Sequence, residues 1–335
     1  MRIPQSIDEL RGDLGVFLNG LQLNIDVINA CSLRCWTCAI GSMGYSRGGA
    51  QMSFDLFRKI LDKAESEVGV RKVQLYHYSD PCLHKDLHLF VKDLTDRGIY
   101  SAISTMAQRT NCDMEKVIEA RPTEFRLSFP GWEKMPYYQK GASVERFNRE
   151  IDRICSLPRH PETTWTMAFH LYNDNQHEWP RVKKLAERYG LKLVAIPAIF
   201  MPLSKTVRKD YTEQDLEIIS HLIETPEESM SRMKYPTNYC KLWKQISLDA
   251  EGYVYLCQLV YEDEFKMMKF MDVHTKKITE AIKTHSFCGS CMKIGAHAYQ
   301  YCFDDFVTSK DPIGDADKHR RVAKENAVWK GVVKG

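Results

Sequence analysis

No stretch of this chain approaches the ~20 consecutive apolar residues that cross a bilayer, and Met1 to Gly20 holds no apolar core of the kind that directs secretion. The sequence is therefore read as that of a cytoplasmic protein with no membrane association. An excess of charge is missing as well. The 47 Lys and Arg stand against 44 Asp and Glu, a net +3, too little to draw the chain to nucleic acid by electrostatics. Internal repeats and low-complexity tracts are also absent. Cysteine, by contrast, is plentiful. Eleven in 335 residues, without a secretion signal, point to a reducing compartment and to metal or redox use. The 44% hydrophobic and 27% charged residues suit one large or two modest globular domains.

Three of the cysteines fall within eight residues, Cys31-x3-Cys35-x2-Cys38, directly after the strand-like run Leu21 to Ile28. Clustered thiolates are soft ligands that select zinc, copper(I) or iron–sulfur. Structural zinc usually takes two separated ligand pairs, whereas this loop has no fourth cysteine nearby. Three thiolates can hold three corners of a [4Fe–4S] cube and leave one iron open for chemistry. Zinc and a disulfide remain the alternatives on spacing.

From Leu21 onward strand-like and helix-like runs alternate, the rhythm of parallel βα units. Strands are expected at Leu21–Val27, Lys72–Tyr78, Tyr100–Thr105, Glu124–Ser128, Thr164–Phe169 and Lys192–Pro197. Between them lie a helix capped by Ser53 and helices at Leu87–Arg97, Met114–Ala120, Val144–Cys155 and Glu178–Tyr189. Six such units give a partial (β/α)6, TIM-like barrel, an α/β fold whose chemistry sits on the loops at the C-terminal strand ends. The three-cysteine loop is one of them. Pro202 to Lys209 reads as loop and Thr212–Thr225 as a bridging helix. A hairpin is expected at Gln245–Leu248 and Tyr253–Val260 around Gly252, and a short helix at Ile278–Lys283 leads to a tight turn at Cys288-x2-Cys291. Asp315 to Lys330 looks like a charged amphipathic helix with a solvated basic face. The implied organisation is an N-terminal extension (1–20), the barrel (21–205), a linking helix (206–231), a small α+β module (232–310) and a helical tail (311–335).

Cys240, Cys257, Cys288 and Cys291 form a second set. Four convergent thiolates saturate every iron of a [4Fe–4S] cluster, which then carries electrons; a zinc site of the same ligands is the alternative. Cys302 and Cys82 stand as further thiols, while Cys112 and Cys155 read as packing. His77, His84, His170 and Tyr172 fall near expected C-terminal strand ends, where they are candidates to orient a polar substrate or move a proton.

Cys31-x3-Cys35-x2-Cys38 after a first strand resembles the signature of the radical S-adenosylmethionine (radical SAM) superfamily. Cys240-x11-Gly252-x4-Cys257 followed by Cys288-x2-Cys291 resembles the opening of the SPASM pattern in its shorter, twitch-like form. The likeness spans roughly residues 20–305. It implies a SAM-binding [4Fe–4S] cluster on Cys31, Cys35 and Cys38, one auxiliary [4Fe–4S] cluster on the second set, and SAM itself as cofactor. Tyr78-Ser79-Asp80-Pro81 stands where relatives carry Gly-Gly-Glu-Pro against the SAM amino group, so Tyr78, Ser79 and Asp80 are candidate SAM contacts. The resemblance adds Thr37, Ser104, Thr105, Ser128, Lys140 and Asn175 to that set, and Cys82 as a candidate hydrogen-atom donor. It implies an oxidoreductase or epimerase acting on a small molecule such as a sugar, aminocyclitol or nucleoside, supplied by an electron donor such as flavodoxin or ferredoxin. A maturase of a ribosomally made peptide precursor is the second reading, and a zinc- or cluster-stabilised binding protein the third.

Overall fold

The computed structural model describes residues 20–42, 48–232, 239–297 and 311–316. Strands are numbered in chain order: β1 Leu21–Ile25, β2 Arg34–Cys35, β3 Val70–Gln74, β4 Tyr100–Thr105, β5 Glu124–Phe129, β6 Gln139–Lys140, β7 Thr164–Leu171, β8 Lys192–Pro197, β9 Gln245–Leu248, β10 Tyr253–Tyr255 and β11 Lys266–Lys269. Nine of them make one sheet in the order β11-β10-β9-β1-β3-β4-β5-β7-β8, and β2 pairs with β6 separately. From β9 to β8 every pairing is parallel; β9–β10 and β10–β11 are antiparallel. The six expected barrel strands are present as β1, β3, β4, β5, β7 and β8, in sequence order across the sheet.

The register sorts these strands into two unlike faces. On the outer face Leu23, Ile25, Val73, Ile103, Phe125, Leu127, Phe129 and Met167 are buried beneath the connecting helices. The helix Phe54–Glu67 contributes Phe57, Ile60 and Leu61, the helix Leu87–Asp96 contributes Phe90, Val91 and Leu94, and the helix Val144–Cys155 contributes Phe147, Ile151 and Ile154. Each buried set recurs at the three- and four-residue spacing of one helical face. Ser53 and Ser143 cap the first and last of these helices through their hydroxyls. The inner face is polar. Gln22 aligns with Lys72 and Gln245, Asn24 with Gln74 and Ser247, Ser104 with Arg126, and Arg126 with Thr166. Strands covered on both faces by hydrophobic layers read as continuous apolar runs; the alternation here means that one face lines a polar lumen.

Several expectations are corrected. The second barrel strand ends at Gln74 rather than Tyr78, because Asp26 draws off the main-chain N–H groups of His77, Tyr78 and Ser79. Pro202 to Lys209 is not a loop: Leu203–Arg208 is a helix ended by Lys209 in the left-handed conformation. Its Thr206 and Val207 are β-branched and poor helix formers, so no helical signal stands out in the sequence. The linking helix ends early, at Ser220, after a capping box of Thr212 and Asp215. Cys288 and Cys291 lie one turn apart on the helix Ser286–Lys293 rather than in a tight turn. The hairpin turns at Gly252 (φ +78°), with Asp249 accepting from the N–H groups of Glu251 and Tyr253. Its second strand stops at Tyr255, and β11 adds a third. Cys302 and most of Asp315 to Lys330 lie outside the described residues, as do residues 1–19. No helix among the described residues is long and apolar enough to cross a membrane.

Candidate functional site

The three-cysteine loop leaves the C-terminal end of β1 and is fastened on several sides. Arg34 donates to the carbonyls of Cys31 and Leu33, at 3.1 and 3.0 Å. The short β2 pairs Arg34 and Cys35 with Lys140 and Gln139 of β6, and Trp36 N donates to Tyr138 O. The Trp36 side chain turns outward onto Tyr137, centroids 4.1 Å apart. The helix Ala39–Ser42 then sits so close to the loop that a Cβ at Gly41 would lie 1.9 Å from the Cys35 carbonyl oxygen; only glycine fits there.

The three thiols share one electrostatic neighbourhood with Asp80. Burial, then Asp80 and Cys38, push the Cys31 thiol up to about 12. Burial, then Cys38, Cys31 and Asp80, raise Cys35 well above its ordinary value. Such thiols keep their protons until a metal displaces them. Asp80 is itself buried, and burial pushes its carboxyl up to about 6 against the hydrogen bonds it accepts from Thr105 and Cys82. It caps the turn Pro81–Leu83 through Cys82 N at 3.0 Å and accepts from Thr105 Oγ1 at 2.9 Å.

Asp26, which sequence reading missed, organises the segment before Asp80. It is fully buried and accepts from the N–H groups of His77, Tyr78 and Ser79 at 2.9 to 3.0 Å and from Ser79 Oγ at 2.6 Å. An acid directly after the strand, continuing the polar series Gln22 and Asn24, was the available signal. His77 Nε2 and Tyr78 Oη both reach the carbonyl of Gln258, at 2.8 and 2.7 Å, so the loop after β3 is tied to the residue after Cys257.

The other expected SAM contacts divide. Ser104 and Ser128 Oγ meet at 3.0 Å on the inner face. Thr105 is engaged by Asp80, and Thr37 Oγ1 lies 3.2 Å from Tyr172 Oη. Lys140 is exposed on β6. Asn175 is 1% exposed and donates both amide hydrogens, to the carbonyls of Pro130 and His170, while accepting from Tyr172 N. It clamps the ends of β5 and β7 and keeps no donor for a ribose. Cys82 is fully buried, its free thiol in hydrogen-bond reach of Cys112, Thr105 and Asp80. His84 is spent on Met52 O, whereas His170 and Tyr172 stand at the barrel mouth.

The second thiol set converges on one apolar cavity lined by Cys240, Cys257, Cys288, Cys291, Trp243 and Leu256, among others. Burial raises all four thiols, with Cys240 adding to the rise at Cys257, Cys288 and Cys291. Leu259 N donates to Cys257 Sγ at 3.4 Å, as Leu33 N does to Cys31 Sγ at 3.5 Å. Among the described residues no three His, Cys, Asp or Glu close on a single ion position. Ligands of a cubane bind different irons and need not close on one point.

No protein-family model and no curated protein matches this chain. Solved structures do. The structure of anSMEcpe with bound AdoMet aligns over 91% of this chain and 100% of its own, with a TM-score of 0.56 at 14% identity. Streptococcus suis SuiB bound to S-adenosylmethionine aligns over 85% of this chain and 72% of its own, with a TM-score of 0.55 at 10% identity. A looser match is BtrN in complex with AdoMet and 2-DOIA, over 86% and 92%, with a TM-score of 0.46 at 13% identity. Identities this low speak to architecture alone. The fold of this chain is that of the radical SAM enzymes.

Proposed function

We propose that this chain cleaves S-adenosylmethionine reductively and uses the resulting radical to take a hydrogen atom from a small polar metabolite, such as a sugar, aminocyclitol or nucleoside-like compound. The observation that carries the reading is the meeting of three half-buried thiols and the buried Asp80 at the end of the first strand of a parallel sheet. A [4Fe–4S] cluster on Cys31, Cys35 and Cys38 supplies, when bound, the electron that releases a 5′-deoxyadenosyl radical from SAM. Asp80 would take the SAM ammonium, and a cation there would restore the charge that burial now opposes. Ser104 and Ser128 offer hydroxyls at the next two strand ends. The stacked Tyr138 and Tyr172, 3.7 Å apart, wall the mouth against water.

Cys240, Cys257, Cys288 and Cys291 would hold an auxiliary [4Fe–4S] cluster with no open iron, fit to move an electron during oxidation of the substrate. Epimerisation is the other outcome, with Cys82, buried beside Asp80 and Thr105, as the candidate hydrogen-atom donor. A ferredoxin or flavodoxin would supply the reductant in the cytoplasm. The partition into a barrel (21–205), linker (206–231) and auxiliary module (232–310) is part of this reading, with β9 to β11 continuing the barrel sheet.

The polar inner face favours a small polar substrate. A peptide precursor is the second reading, favoured by SuiB bound to precursor peptide SuiA and anSMEcpe with bound AdoMet and Cp18Cys peptide. Anaerobic reconstitution followed by iron counting and a 5′-deoxyadenosine assay tests the whole. About eight irons with SAM cleavage are expected. About four with cleavage would reduce the second set to zinc or structure, and no iron with no cleavage would leave a binding protein.

A further inference from the structure

The inner sheet face carries charge that the radical chemistry does not require. Arg126 on β5 projects into the lumen with 26% of its side chain accessible, and it meets Glu124 two residues below. That contact uses one edge of the guanidinium: Nε and Nη2 both donate to Glu124 Oε1, at 3.2 and 2.9 Å, while Tyr100 Oη donates to Oε2 at 3.1 Å. The opposite edge, Nη1 with the second hydrogen of Nη2, has no partner among the described residues. Around it stand two more neutral groups within electrostatic reach, Tyr76 and His170. Tyr76 Oη accepts from Gln74 at 2.7 Å and keeps its own proton to donate. The His170 ring makes no hydrogen bond to any described residue. Lys72 completes the set, close to Glu124 and Arg126. Both cations lie near the same Glu124 carboxylate.

A guanidinium edge with two parallel N–H groups matches a carboxylate bidentately. We propose that the substrate is a carboxylic acid whose carboxylate docks on the free edge of Arg126, with Tyr76 donating beside it. Arg126 is two residues below Ser128 on the same strand face, roughly 7 Å at the ordinary strand rise. The acid group therefore lies at depth and the reacting carbon toward Ser104, Ser128 and the cysteine loop. This narrows the proposed metabolite to an acidic one, such as a sugar acid, and disfavours a cationic aminocyclitol; it rests on the proposed radical chemistry only for what happens at the other end.

The test uses the reconstituted full chain with SAM and measures binding of lactate, shikimate and D-glucuronate, each against its neutral amide, with D-glucose 6-phosphate as the dianionic arm. At least one acid should bind about tenfold or more tighter than its amide, the worth of one charge-assisted pair. Arg126→Gln should bring that ratio within threefold, while Glu124→Gln, which frees the other guanidinium edge, should keep or raise it. Equal binding of acid and amide, no binding of any acid, or a preference that survives Arg126→Gln would overturn the proposal. So would tighter binding of the phosphate ester, or an Arg126→Gln effect reproduced as loss of fold by Glu124→Gln. SAM cleavage is assayed in the same samples. Cleavage without acid selectivity sinks this inference alone, and selectivity without cleavage sinks the radical reading alone.

Discussion

The two thiol sets differ in what surrounds them, and that difference separates their proposed tasks. The first set sits on a half-buried strand-end loop beside a buried carboxylate, two serine hydroxyls and a polar lumen. The second closes on an apolar cavity, with Trp243, Leu256 and Phe287 between its thiols. In both sets burial raises thiols, and at Cys31, Cys35, Cys257, Cys288 and Cys291 neighbouring thiols add to the rise. Burial of thiols therefore marks a metal-ready place in either region, but only the first has groups able to hold a charged small molecule. A redox centre whose lining is apolar apart from His297 can exchange electrons and has few groups to hold a substrate.

The largest effect that tests this contrast comes from single cysteines. Cys31→Ala should cut iron to about four per chain and abolish 5′-deoxyadenosine formation, while Cys257→Ala should cut iron equally and leave SAM cleavage within a few fold. Equal loss of cleavage in both would erase the distinction. Gly41→Ala comes next. An alanine in place of glycine inside a helix usually gains roughly 0.5–1 kcal/mol, but here the new methyl meets the Cys35 carbonyl at 1.9 Å. The variant should lose the first set's iron and keep the second's, so full iron content would show that the loop yields freely.

Much of this was legible in the sequence, and the reason lies in periodicity. Strand and helix alternation gave all six barrel strands, because the buried outer positions such as Phe125, Leu127 and Phe129 are apolar without interruption. The cysteine spacing marked both thiol sets. What stayed hidden depends on contacts between distant segments. Asp26 acts on His77, Tyr78 and Ser79, some fifty residues away, and nothing local announces that partnership. Asn175 looked like a ligand contact because its neighbours do not reveal that Pro130 and His170 carbonyls take both its donors. Gln22, Asn24, Glu124 and Arg126 were readable as every-second polar residues in parallel strands, and that pattern is the signature of a wet lumen.

Asp26 offers a subtler test of the first region. Asp26→Asn keeps the shape but removes the charge that holds three main-chain N–H groups, so it should cost about 1–3 kcal/mol. SAM affinity should fall about tenfold through the displaced loop, while iron on the second set stays. Unchanged SAM affinity with reduced stability would mean that Asp26 serves the fold only.

The smallest effect concerns what the two regions share. The helix Phe54–Glu67 packs on the barrel's outer face and also ties down the auxiliary module, since Lys63 donates to Val273 O and Glu67 accepts from Thr275 N and Oγ1. Its N-terminus is capped by Ser53 Oγ, which accepts from Leu56 N at 3.1 Å. Ser53→Ala removes that acceptor and should cost about 1 kcal/mol, read as a lower urea midpoint at constant slope. Because the helix supports both regions, neither thiol set should lose iron preferentially. Selective loss from the second set would show that the helix start holds the auxiliary module more tightly than the barrel, and the two regions would then unfold as separate units.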